Sequence, residues 1–143
     1  MQMRPEAPRQ RVLIVEDDPT VLVLVITRLS IAGYEIFHAR DGHEGLRRVK
    51  DVSPCAMILD INMPRLDGFG VLETLGALGV LARLPTMVLT ARNQAEDVQK
   101  ALKLGARDFL SKPFEDRQLL ARVARLVNGN WRDAQAKAPA VLL

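Results

Sequence analysis

The sequence predicts an α/β fold, a parallel sheet wound on both faces by helices. Two observations carry this. Short runs of apolar, largely β-branched residues recur along the chain, the composition of strands buried on both faces. Between them lie stretches of helical length opened by capping residues and closed by glycine or asparagine, so strands and helices alternate.

The first strand is 12–15, Val-Leu-Ile-Val, which stops at Glu16-Asp17-Asp18. Asp18-Pro19 is an N-cap followed by proline at the first helical position. It predicts a helix over 19–32 despite the strand-like run at 21–26, with Gly33 at its end. A second strand follows at 35–39. Asp41 and Glu44 resemble a capping box and open a helix to Val52. The third strand, 55–59, ends at Asp60. The loop 61–67 holds Asn62 and Pro64, and Gly68 leads into a helix over 69–78. The fourth strand, 85–89, ends at Thr90. Asn93 is placed to cap a helix over 94–104, closed by Gly105. The fifth strand, 108–111, ends at Lys112-Pro113, and a last helix over 115–127 stops at Asn128-Gly129.

The chain has 143 residues, one domain's worth, with 48% hydrophobic and 26% charged residues, which excludes a disordered or fibrous chain. Residues 1–10 carry two prolines and no apolar period and are expected to be a disordered leader. The domain proper is expected over 11–128. The Ala-rich segment 129–143 is expected to be a tail or the start of a linker, too short for an output domain. The longest strongly apolar run has six residues, where a membrane span needs about 20. No charged segment followed by an apolar one opens the sequence, so no signal peptide is expected. The single cysteine, Cys55, allows neither an internal disulfide nor a cysteine-based zinc site, so a cytoplasmic setting is expected.

The net charge of +3 raises the question of nucleic acid. Its distribution argues against it. Three arginines and one glutamate give residues 1–11 a charge of +2, and four arginines, one lysine and one aspartate give residues 117–143 a charge of +4. The body, 12–116, is left at −3, whereas a DNA-binding domain concentrates Lys and Arg on the fold itself. No direct contact with nucleic acid is expected of this chain.

Parallel α/β sheets bind ligands beyond the carboxyl ends of their strands. Glu16 and Asp17 follow the first strand, Asp60 the third, Thr90 the fourth and Lys112 the fifth. Three carboxylates, a hydroxyl and an ammonium thus converge on one edge. Two carboxylates about 4 Å apart repel by roughly 4 kcal/mol at an effective dielectric near 20. The cluster therefore calls for cations: Lys112 is one, and a hard, oxygen-seeking divalent ion such as Mg²⁺ suits the rest. His38 and His43 are not read as ligands. A carboxylate can act as nucleophile and form an aspartyl-phosphate. Asp60 is the candidate, standing alone at a central strand end, with Glu16 and Asp17 to hold metal and Thr90 and Lys112 to meet phosphoryl oxygens.

With these residues in place, the chain resembles a response-regulator receiver domain of bacterial two-component signalling, of the chemotaxis-regulator kind. The resemblance rests on VLIVEDD (12–18), MILDINMPRLDGFGVL (57–72), TMVLTAR (86–92) and GARDFLSKPF (105–114), and it covers about 10–128. It implies a flavodoxin-like (βα)₅ sheet of strand order 2-1-3-4-5. It puts the phosphoacceptor on Asp60 and the acidic pair on Glu16 and Asp17, with the Asn62 backbone carbonyl completing the Mg²⁺ ligands. The switch pair becomes Thr90 and Phe109, the latter without the hydroxyl of the frequent tyrosine. Lys112 precedes a proline, Pro113, whose peptide bond is cis in the family. Asn62 and Arg92, two residues after Asp60 and Thr90, are placed to tune phosphoryl lifetime. The implied partners are a sensor histidine kinase or histidine phosphotransferase, and an output partner on the face of the fourth helix, fifth strand and fifth helix. Asp97, Asp108 and Arg122 match the charged pairs by which relatives dimerise on that face, but Val98, Arg107 and Gln118 depart from them, so a monomer or weak dimer is expected.

Two other functions compete. An aspartyl-phosphate phosphatase or phosphotransferase usually carries a second acid two residues after the nucleophile, where this chain has Asn62. A phosphate-independent adaptor has no need of the whole set. The bland readings are Asp18 as a helix cap, Asp67-Gly68 as a turn, Cys55 as a small buried hydrophobe, and Met63 and Met87 as packing. Trp131 has no assigned role.

Overall fold

Each of the five predicted strands forms, and each hands the chain to a helix. The computed structural model describes residues 9–129. The elements are β1 (Arg11–Val15), α1 (Pro19–Ile31), β2 (Glu35–Ala39), α2 (Gly42–Val52), β3 (Ala56–Leu59), α3 (Gly68–Ala77), β4 (Thr86–Thr90), α4 (Ala95–Lys103), β5 (Asp108–Ser111) and α5 (Asp116–Val127). The five strands form one parallel sheet in the order β2-β1-β3-β4-β5. The chain starts at β1, steps out to β2, then crosses back to β3. That reversal opens a crevice at the carboxyl ends of β1 and β3.

Successive strand residues point to opposite faces, which divides the core in two. Leu13, Val15, Met57, Leu59 and Val88 pack with the α3 residues Phe69, Leu72 and Leu75. Val12, Ile14, Ile58, Met87 and Leu89 pack with Leu22, Val25 and Leu29 of α1 and Leu119, Val123 and Leu126 of α5. Met63 and Met87 are both buried, as the packing reading requires.

Capping chemistry settles α1 against the β propensity of its own residues. The Asp18 carboxylate accepts from the N–H groups of Thr20 (2.9 Å) and Val21 (3.5 Å), with Pro19 at the first helical position.

Several details differ from the sequence reading. Thr90 lies inside β4 rather than after it, paired with Ser111. Asp67 is no simple turn residue: its carboxylate accepts from Gly70 N–H (2.9 Å) and caps α3. Helix α4 is capped by Gln94 rather than Asn93, with no side-chain bond. Asp41 accepts from Glu44 N–H (2.9 Å), but Glu44 answers at Arg40 N–H (3.2 Å), one residue outside a true capping box. Cys55 is half-buried and precedes β3, its thiol donating to the Arg11 carbonyl (3.1 Å) at the sheet's amino end. Most of the expected leader and tail, with Trp131, lies outside the described residues. Among the described residues, no helix is long and apolar enough to cross a membrane.

Candidate functional site

Backbone bonds between strand ends set the site. Glu16 N–H donates to Ala39 O (3.0 Å), Asp60 N–H to Val15 O (3.0 Å) and Lys112 N–H to Thr90 O (2.9 Å). These bonds extend the parallel ladder one residue past β1, β3 and β5 and align the polar residues along one edge. The loop after Asp60 is pinned by Gly68, whose N–H donates to Ile61 O (2.8 Å). A Cβ at Gly68 would meet the Asp60 carbonyl oxygen at 2.3 Å, so the close approach requires glycine.

Glu16 and Asp60 are 3% and 5% exposed, Thr90 1%. Lys112 Nζ donates to Glu16 Oε1 (2.7 Å) and Asp60 Oδ2 (3.3 Å). Carboxylate oxygens of Glu16, Asp17 and Asp60 lie within 4.8 Å of one another, with Asp17 exposed. Asn62 N–H donates to Asp60 Oδ1 (3.4 Å), and Arg92 N–H to Thr90 Oγ1 (3.2 Å).

One ammonium faces two buried carboxylates, and the titration properties follow. Burial pushes the Glu16 carboxyl up to about 8, helped by its hydrogen bond to Asp60 and by the charge there, against the opposing pull of Lys112. Burial works against the Lys112 ammonium, but the hydrogen bond to Glu16 and the charges of Asp60 and Glu16 outweigh it and raise its pKa. The donor set is all oxygen, which suits a hard divalent cation such as Mg²⁺ and not zinc. Neither His38 nor His43 belongs to the cluster.

Phe109, paired with Val88, is partly buried against the α3-side core. The Lys112–Pro113 peptide is cis. Of the charged residues matched to relatives' dimer pairs, Asp108 holds both Arg122 and Arg125 within the chain, and Asp97 holds Arg92. Two ion pairs at this end of the sheet carry no signal in the sequence. Arg65, in the left-handed region (φ 69°), reaches Asp41 (2.7 Å), and Asp97 reaches Arg92 (2.7 Å). The first pair links the loop after β3 to the N-cap of α2 across 24 residues, and the second ties Arg92, just after β4, to the first turn of α4. The Glu44 backbone N–H, then Arg65, hold the Asp41 carboxyl below the usual carboxylate range.

The response regulator receiver domain family matches residues 12–124. The chain belongs to that family. Receiver domains are parts of signalling regulators, and the sequence relatives are named accordingly. The DNA-binding dual master transcriptional regulator RpaA of Synechocystis sp. is 37% identical over 126 residues, 88% of this chain and 52% of RpaA. The transcriptional regulatory protein PrrA of Mycobacterium leprae is 39% identical over 131 residues, 92% of this chain and 55% of PrrA. The chain thus spans about half the length of these relatives. Among solved receiver structures, the chemotaxis protein CheY4 of Vibrio cholerae superposes with a TM-score of 0.78 at 30% identity, covering 83% of this chain and 99% of CheY4.

Proposed function

We propose that this receiver accepts a phosphoryl group on Asp60 from a sensor histidine kinase or histidine phosphotransferase and changes shape in response. The observation that carries the reading is the Lys112–Glu16–Asp60 cluster, with Asp17 beside it, at the switch point of the sheet. A carboxylate oxygen of Asp60 attacks phosphorus, the bond from phosphorus to the donor's nitrogen or oxygen breaks, and the donor leaves with that electron pair. Asp17, Asp60, the Asn62 carbonyl and Glu16 would hold Mg²⁺, which supplies charge neutralisation when bound. Lys112 donates to a phosphoryl oxygen, and the Thr90 hydroxyl turns toward another.

In this role the chain is no general enzyme: it catalyses only its own phosphorylation and dephosphorylation. The output passes through a protein partner on the α4–β5–α5 face, where Thr90 movement opens space for the Phe109 ring to turn inward. Asp97, Asp108 and Arg122 have partners inside the chain, which supports a monomer or weak dimer over a tight symmetric one. We assign 11–128 to the receiver, with 1–10 a leader and 129–143 a tail or linker, in the cytoplasm and without direct nucleic-acid contact. The relatives' names make a DNA-binding output elsewhere in a longer protein consistent with this assignment.

The test is incubation with acetyl phosphate. The protein should gain the mass of one phosphoryl group in Mg²⁺ and none in chelator; equal uptake in both, or none in either, contradicts the reading. Asn62 and Arg92 flank the path of an attacking water. Asn62→Ala or Arg92→Ala should change the aspartyl-phosphate decay rate by about threefold or more, and rates within twofold of wild type in both remove them from the mechanism.

A further inference from the structure

Five polar or charged residues of the described chain are buried: Glu16, Asp60, Thr86, Thr90 and Asp97. Three form the site. The Thr86 hydroxyl donates to Leu84 O (3.0 Å). Asp97 remains, 7% exposed in the first turn of α4, and the proposed chemistry does not use it. A carboxylate near a helix N-terminus is favourable, but that does not call for burial. Glu96 beside it gains the same benefit while exposed.

The partner of Asp97 explains its position. Arg92 Nε donates to Asp97 Oδ1 (2.7 Å), and its guanidinium lies over the Phe69 ring of α3 (5.4 Å to the centroid). Lys100, further along α4, lies against the same ring (4.3 Å). The backbone N–H of Arg92 meanwhile donates to the Thr90 hydroxyl oxygen (3.2 Å). One residue thus ties the hydroxyl to the start of α4 and to α3.

We propose that Asp97 is a positioning residue that governs, through Arg92, how readily Thr90 engages the phosphoryl group. The inference rests on the site reading above. To turn toward the phosphoryl group, the Thr90 hydroxyl must give up the Arg92 N–H. With the Arg92 side chain fixed at Asp97 and Phe69, its backbone cannot follow. Asp97 therefore weights the equilibrium toward the arrangement in which Thr90 and Arg92 remain bonded. Removing the clamp favours phosphoryl engagement.

Calorimetric titration with beryllofluoride, a phosphoryl mimic, in Mg²⁺ tests this. Asp97→Asn and Arg92→Ala should each bind about threefold or more tighter than wild type. The double variant should match the singles, because both break one link. Asp97→Glu, which keeps the carboxylate, should bind within about twofold of wild type. Arg28→Ala, which breaks the distant Arg28–Asp116 pair (2.7 Å), should leave affinity unchanged and controls for general loosening. Arg92→Ala tests the link from its exposed end should Asp97→Asn fail to fold. Unchanged or weaker binding in these variants, or effects that add in the double, overturns the inference while leaving the site reading intact. Absence of beryllofluoride binding by the wild type overturns both.

Discussion

Lys112→Ala should lower phosphoryl uptake from acetyl phosphate by about a hundredfold, the scale seen when one preorganised donor to a developing oxyanion is lost. The same substitution should destabilise the fold. Lys112 is the ammonium that answers two buried carboxylates, at 2.7 Å and 3.3 Å. Breaking a buried pair costs about 3–5 kcal/mol when the remaining charge stays buried and ionised. At pH 6 Glu16, raised to about 8, already holds a proton and carries no charge for Lys112 to answer, whereas at pH 9 it is ionised. The loss should therefore be larger at pH 9 than at pH 6, read as the shift of the urea midpoint. Mg²⁺ should restore part of it by binding the folded carboxylates. Uptake within threefold of wild type would remove Lys112 from the phosphoryl site, and stability loss independent of pH would remove Glu16 from its charge balance.

The wild-type chain should itself lose stability in chelator as pH rises from about 4.5 toward 8. The folded Glu16 holds a proton that the unfolded chain releases near its ordinary 4.5. Between the two values the folded state binds the extra proton, so the stability it contributes is complete below 4.5 and declines to nothing near 8. The slope can reach about 1.4 kcal/mol per pH unit for one group. The other groups whose titration is shifted act outside this window. Lys112, raised from 10.5, contributes stability that is lost only as pH rises through its folded value, above this window. Asp41, lowered from 3.8, contributes stability lost only below it. Glu16→Gln should flatten the decline, and Mg²⁺ should oppose it, because ionised carboxylates bind the cation better. A flat wild-type profile, or an unchanged slope in Glu16→Gln, would contradict the assignment.

What the sequence could and could not disclose follows from the range of each interaction. The buried strands are written in runs such as 12–15, because burial on both faces admits only apolar residues. Asp18-Pro19 outweighs the strand-like run at 21–26 because a cap acts on its immediate neighbours. The strand-end carboxylates are legible for the same reason: Glu16 and Asp60 sit one residue past their strands and Asp17 two. The start of α4 reads as Asn93 in the sequence because Gln94, which stands at the cap, makes no side-chain bond and leaves no local signal. Cys55 reads as core from its apolar neighbours, but the strand begins one residue later, leaving the thiol at the sheet's amino end. The pairs Arg65–Asp41, Arg92–Asp97 and Arg122–Asp108 depend on how loops and helices pack, which no spacing encodes.

The central claim is that Asp60 is the phosphoacceptor, and locating the phosphoryl group on the chain tests it most directly. After acetyl phosphate and Mg²⁺, borohydride reduces an aspartyl-phosphate to homoserine, which fragmentation mass spectrometry can place. The reduced residue should appear at position 60 alone, and Asp60→Asn should gain no phosphoryl mass. A homoserine at position 17 or elsewhere in the wild type, or full phosphoryl uptake by Asp60→Asn, would contradict the account.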